Sequence, residues 1–205
     1  MKIFLIYEKL LSSFGPQNWW PVTENGNKFE IIAGAILTQN TNWKNVEKAL
    51  KNLRERNLLS KNAIGKIPEK ELAGIIRSSG YHNQKARKLK SFVNFRDRMT
   101  RENLLKIWGI GRETADSILL YAYDKPYFVI DAYTIRIMQR LGFQAKNYDE
   151  WQELFHKSLP KDHKLYNEFH ALFVALGKNV CGKEPLCGKC PLAKGCEYAK
   201  KNENG

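Results

Sequence analysis

Hydrophobic residues recur at helical spacing along almost the whole chain. Trp43, Val46, Leu50 and Leu53 form one stripe, and Ala86, Leu89, Phe92 and Val93 another. Leu72, Ile75 and Ile76 follow Pro68, which suits a helix start. Ala115, Ile118, Leu119 and Ala122 make a further stripe, and Ile135, Met138 and Leu141 the next. Trp151, Leu154 and Phe155 lead on to Leu165, Phe169, Leu172, Phe173 and Leu176, with Gly177 as the expected C-terminal stop. Thr100 is placed to cap a short helix over residues 100–107. Tyr127 to Ile130 reads as a strand but is too short to found a sheet. The pattern predicts an all-α protein without internal repeats, ending in a polar tail expected to fray.

Composition bounds the partner. A chain of 205 residues suits one large domain or two small ones. Lysine and arginine outnumber aspartate and glutamate by 34 to 21, a formal charge of +13. That excess points to a polyanion: nucleic acid first, an anionic membrane surface second, with a merely basic protein as the plain alternative. No apolar run is long enough to span a bilayer. The opening Met1-Lys2-Ile3-Phe4-Leu5-Ile6-Tyr7 is too short for a secretory core and lacks a small-residue cleavage site, so a cytoplasmic location is expected.

Two places carry candidate chemistry. Trp108-Gly109-Ile110-Gly111-Arg112-Glu113 lies between two helical patterns. A pair of glycines is often just a helix–helix turn. Here it also lets backbone approach a ligand closely, with turn and helix N-terminal N–H groups aimed at an anion. In so basic a chain that anion is a DNA phosphate, and Arg112 adds charge beside it. The second place is Cys181-x5-Cys187-x2-Cys190-x5-Cys196. Four thiols so close in sequence form a local metal-binding cluster and not a disulfide framework. Zinc usually takes two short Cys pairs, whereas iron–sulfur clusters tolerate one short pair with wide arms; spacing leaves both open.

Residues 105–115, Leu-Lys-Ile-Trp-Gly-Ile-Gly-Arg-Glu-Thr-Ala, resemble the helix-hairpin-helix of the endonuclease III superfamily of DNA glycosylases. The family follows its hairpin and helix with a short apolar run ending in an essential aspartate, and Phe128-Val129-Ile130-Asp131 stands at the matching distance. Upstream, Ile36-Leu37-Thr38-Gln39-Asn40-Thr41 is similar to the segment whose glutamine fills the hole left by an extruded base. Gly80-Tyr81-His82-Asn83-Gln84-Lys85-Ala86 is similar to the loop that wedges the duplex, with Tyr81 in the wedge place and His82 its near competitor. The resemblance covers residues 19 to 196. It implies a two-domain helical fold: residues 22–131 as a central domain, and residues 1–21 with 132–205 as a second domain carrying a [4Fe–4S] cluster on Cys181, Cys187, Cys190 and Cys196. The family's cysteine pattern has one more residue in the first gap, so this chain's first loop must differ locally.

By the same resemblance Asp131, which otherwise reads as a helix cap, is the catalytic carboxylate. Cleaving an N-glycosidic bond puts positive charge on the sugar, and a carboxylate stabilises it and orients water. Bifunctional members carry a lysine nucleophile just after the hairpin. This chain has Glu113 there, a catalytic helper or a first-turn acid that suits its helix dipole. A carboxylate cannot form a Schiff base, so a monofunctional glycosylase is expected. Trp19-Trp20-Pro21, the Gln39 and Tyr81 segments and Glu113 together resemble the bacterial 3-methyladenine glycosylase branch. That implies a base pocket of Trp19, Trp20, Pro21 and Trp43, where indole faces suit a cationic alkylated ring. Read as core residues, the same tryptophans need no ligand. The expectation is a monomeric enzyme that removes alkylated purines such as 3-methyladenine from double-stranded DNA, with no membrane partner. The alternatives are an endonuclease III-like glycosylase/lyase acting on oxidised pyrimidines with some other lysine as nucleophile, and a non-catalytic DNA-binding iron–sulfur protein.

Overall fold

A computed structural model describes residues 1–19 and 27–202. Among these residues it is helical, with short 3-10 turns and no strand, as an all-α chain should be. No helix among them is long and apolar enough to cross a membrane. The chain forms two compact units, one of residues 21–123 and one of residues 1–20 with 124–205.

In the central unit, helix α2 (Lys28–Leu37) is buried at every position from Phe29 to Leu37. A helix covered on all sides has no polar stripe, which is why periodicity passes over it. Asn27 caps it by accepting from the Phe29 N–H at 2.9 Å. Its buried Glu30 pairs with Arg54 of α3 (Trp43–Glu55). Helix α2 packs on α3, on α6 (His82–Asn94) and on α8 (Arg112–Tyr123). Helices α4 (Lys61–Lys66) and α5 (Glu69–Ile75) pack against α6, and Pro68 opens α5 as expected. The predicted cap on α7 is present: Thr100 Oγ1 accepts from Asn103 N–H at 3.2 Å, although the helix covers only Arg101–Leu105. Arg101 and the fully buried Asp116 of α8 form a two-pronged ion pair at 2.8 and 3.2 Å. This pair ties the two helices of the hairpin together.

The terminal unit holds α1 (Ile3–Phe14), α9 (Ala132–Arg140), α10 (Tyr148–Ser158), α11 (His163–Asn179) and α12 (Glu197–Asn202). Its core is aromatic: Phe128 stacks on Phe155 at 3.9 Å and Phe169 on Phe173 at 4.7 Å, with edge contacts between the pairs. Helix α1, unmarked in the sequence pattern, buries Ile3, Ile6 and Leu10 while Phe4 and Leu5 stay exposed. Gly177 does not stop α11, which runs two residues further to Asn179. The glycine instead makes room for the ring of Tyr133, which fills the place of its missing Cβ. Residues 124–131, expected in the central domain, pack with the terminal helices because Phe128 belongs to that aromatic core. The strand-like run within them has no strand partner. Side chains of α10 satisfy its backbone: Phe128 N–H donates to His156 Nε2 at 3.1 Å, Gln152 Nε2 donates to Phe128 O at 2.7 Å, and Ile130 N–H donates to Tyr148 Oη at 3.3 Å.

Candidate functional site

In the central unit the hairpin turn between α7 and α8 meets Gln39. The Gln39 amide donates to Thr114 Oγ1 at 2.8 Å and to Gly109 O at 3.2 Å. Its carbonyl accepts from the ammonium of Lys88 on α6. Gln39 is thereby held to the hairpin by its amide NH2 and to α6 by its carbonyl. Gly109 is left-handed, with φ of 80°, while Gly111 is not. Nothing lies within 4 Å of a Cβ built on Gly111. Arg112 and Glu113 are both exposed on the first turn of α8. Trp108 is exposed too, and the Arg87 guanidinium lies 4.4 Å above its ring, a further cation beside the turn.

Tyr81 also takes a left-handed backbone, φ 44° and ψ 34°, which is costly for a bulky residue. Its side chain is 65% exposed, whereas His82, the first residue of α6, is half-buried. Lys85 stands behind this loop. It is fully buried, and its ammonium donates to Ser79 O at 2.6 Å and to Leu37 O at 2.8 Å. One side chain thus joins the Tyr81 loop to the end of α2, just before Gln39. Burial, and then the charge of Lys88, lower the Lys85 pKa to about 8. Burial lowers that of Lys88 as well.

In the terminal unit Asp131 caps α9, its Oδ1 accepting from Thr134 N–H at 2.7 Å. Its Oδ2 faces Nε2 of His170 on α11 at 3.6 Å. Burial pushes the Asp131 carboxyl up, but His170 and the Thr134 donors outweigh it and hold the group below the ordinary carboxylate range. The ring of Trp19 stacks on His170, with centroids 5.6 Å apart and planes 11° from parallel. Trp20 and Pro21 lie outside the described residues. Trp43 belongs to the central unit, half-buried, its indole N–H donating to Glu47 Oε1 at 2.9 Å.

All four cysteines line one pocket with Arg140, Pro185, Leu186 and Tyr198. Among the described residues no three His, Cys, Asp or Glu side chains converge closely enough to hold a single metal ion. Burial, and then the neighbouring thiols, raise the pKa of Cys190 against the pull of a Leu192 hydrogen bond. Arg140 anchors the first loop. It donates to Cys181 Sγ at 3.2 Å, Gly182 O at 2.7 Å and Lys183 O at 3.1 Å, and stacks on Tyr198. Arg136, one turn earlier on α9, donates to Gly177 O and Cys181 O, both at 3.0 Å.

Lys85, Lys88, Thr114, His170 and Arg140 escaped the sequence reading. Lys85 did leave a trace, since it stands one turn before Leu89 in an apolar stripe. His170 left another, as the one polar residue in the run Phe169 to Val174.

The chain resembles known proteins over most of its length. It is 45% identical over 202 residues to the Methanocaldococcus jannaschii protein named "Putative DNA repair glycosylase MJ1434", covering 90% of each chain. It is 30% identical to endonuclease III of Thermotoga maritima, over 75% of this chain and 74% of that one. Among solved structures it is similar to the H. pylori 3-methyladenine DNA glycosylase MagIII bound to 1,N6-ethenoadenine. That match has a TM-score of 0.77 and 33% identity over 87% of this chain and 98% of that one. A trapped covalent endonuclease III–DNA intermediate matches with a TM-score of 0.86 and 26% identity, over 98% and 97%. Residues 33–161 match the model of the HhH-GPD superfamily base excision DNA repair proteins, and the chain belongs to that superfamily.

Proposed function

We propose that this chain is a monofunctional DNA N-glycosylase that removes alkylated purines such as 3-methyladenine from double-stranded DNA by hydrolysis. The observation that carries the reading is Asp131, a carboxylate kept ionised by its neighbours on the end of α9, next to a stacked pair of rings. As the bond between C1′ and the base nitrogen breaks, the base leaves with the electron pair. An alkylated base that starts as a cation departs neutral and needs little acid help. The positive charge left on the sugar is stabilised by Asp131, which also orients the water whose oxygen bonds to C1′. The water proton passes to the carboxylate and on to solvent.

Glu113, in place of the family's lysine nucleophile, supports hydrolysis without strand cleavage. Its exposure on the first turn of α8 suits a dipole-favoured acid as well as a helper. Tyr81, exposed on a strained loop, would serve as the wedge, and Gln39 as the gap-filling amide. The glycine turn with Arg112 would grip phosphate. Trp19 and Trp43, with Trp20 and Pro21, would receive the flipped base. The likeness to MagIII supports an alkylpurine substrate.

The four cysteines suit a [4Fe–4S] cluster, because all four line one pocket and their sequence spacing has one short pair between wide arms. Base hydrolysis requires no electrons, so the cluster would serve structure. Cys181, Cys187, Cys190 and Cys196 would hold it, with Arg140 fixing the first loop.

A second reading is supported by the likeness to a trapped covalent endonuclease III complex: a glycosylase/lyase using another lysine. Chromatography of bases released from N-methylated DNA tests the first reading. Release of 3-methyladenine without a borohydride-trapped protein–DNA adduct is the expected result, and an adduct overturns it.

A further inference from the structure

We propose that His170 is the positioning residue of the base-releasing site, holding the Asp131 carboxylate at one edge of its ring and carrying the Trp19 indole on its face. The proposal rests on the N-glycosylase reading of Asp131. Three observations on different elements converge. Oδ1 of Asp131 is fixed by the Thr134 N–H within α9. Oδ2 would still turn about this anchor, and the group it faces is His170 Nε2 at 3.6 Å, from α11. That distance is within ion-pair range but longer than a hydrogen bond; such contacts in a free enzyme commonly tighten when substrate binds. The imidazole itself is rigidly placed. It is 5% exposed, in a stretch of α11 buried from Phe169 to Val174, and it is stacked nearly parallel to Trp19.

The arrangement makes the imidazole a flat connector between a ring expected to receive the base and the carboxylate expected to face the sugar. A base stacked against Trp19 is then in register with Asp131 through one side chain that has little freedom to move. A purely structural histidine would serve equally well as any ring of its size. A positioning histidine needs its nitrogen.

The test compares His170→Phe, which keeps a ring against Trp19 but removes the nitrogen, with His170→Gln, which returns an N–H donor. Base release from N-methylated DNA is expected to fall roughly 100-fold in the Phe variant, with KM within about threefold of wild type and about tenfold recovery in the Gln variant. A rate within about twofold of wild type, a loss the Gln variant does not relieve, or a KM that rises in step with the rate loss overturns the proposal. If the Phe variant does not fold, His170→Leu against His170→Gln gives the same contrast. Thermal unfolding of Asp131→Asn, His170→Phe and the double variant reads the pair without activity. A double-variant Tm loss smaller than the sum of the single losses is expected, and additive losses overturn the contact. If wild type releases no methylated base, the substrate reading fails, and the unfolding cycle still decides on His170.

Discussion

Lys88 runs through the space that any side chain on Gly109 would need. A Cβ at that glycine would lie 2.5 Å from the Lys88 Cγ and 2.7 Å from its Cε. The hairpin glycine therefore serves the protein's own interior, letting Lys88 reach the side-chain carbonyl of Gln39. Gly111 has open space around it and is the glycine proposed to meet a phosphate.

The two glycines should separate on substitution. Gly109→Ala combines a left-handed backbone with a clash, and should cost roughly 1–3 kcal/mol in thermal or urea unfolding. Gly111→Ala should leave stability within about 0.5 kcal/mol but weaken duplex binding about tenfold, since its Cβ would stand where a phosphate approaches. Wild-type affinity in Gly111→Ala would remove the phosphate-grip reading.

Asp131 both caps a helix and is proposed to act on the sugar, and two variants pull these roles apart. Asparagine caps about as well as aspartate, so Asp131→Asn should keep its cap and lose only the Tm share of the His170 contact, yet lose at least ~100-fold in base release. Asp131→Ala should lose the same activity and in addition about 1 kcal/mol of stability. Substantial base release by Asp131→Asn would dismiss the carboxylate as the reacting group.

Lys85 gives stability a pH dependence of known sign. Its pKa in the fold is about 8, against about 10.4 in an unfolded chain. Between those values the unfolded state binds more protons, so this residue's contribution to stability rises with pH. A neutral amine still has two hydrogens for Leu37 O and Ser79 O. The stability of wild type relative to Lys85→Met should therefore increase from about pH 8 to about pH 10.4, as measured by urea unfolding. A difference that stays flat or falls would show that Lys85 does not titrate in this window.

The cysteine pocket predicts its own contents. Anaerobically prepared protein should carry about four iron and about four sulfide per chain, with broad visible absorption. Cys187→Ser should lose most of both. Arg140→Met, which frees the Cys181 loop without removing a sulfur, should lose iron faster under chelator than wild type. Zinc in place of iron would overturn the cluster.

What the sequence revealed follows from how each feature is made. The stripes of α3 and α6 show because one face is buried and the other is wet. The Asp131 and Thr100 caps show because a short polar residue stands just before a helix. Helix α2 hides because it has no wet face, and α1 because Phe4 and Leu5 interrupt its pattern on the exposed side. The hairpin motif was legible locally, but Lys88 and Gln39 meet there only through folding. The His170 contact to Asp131 is likewise made by two helices distant in sequence. Gly177 misled because a missing side chain signals either a helix end or a close neighbour, and only the position of Tyr133 decides between them.

The complete burial of α2 also constrains how the chain can be made. Residues 28–37 leave the ribosome well before residues 112–123, which form one of the walls that cover them. Until α8 emerges, a nearly all-apolar segment lacks part of its native cover, and its buried Glu30 depends on Arg54 arriving in place. A nascent chain stalled between these points, or a fragment ending before Arg112, would expose a sticky surface suited to chaperone capture or aggregation. The hairpin helix is thus also the closing wall of the central core.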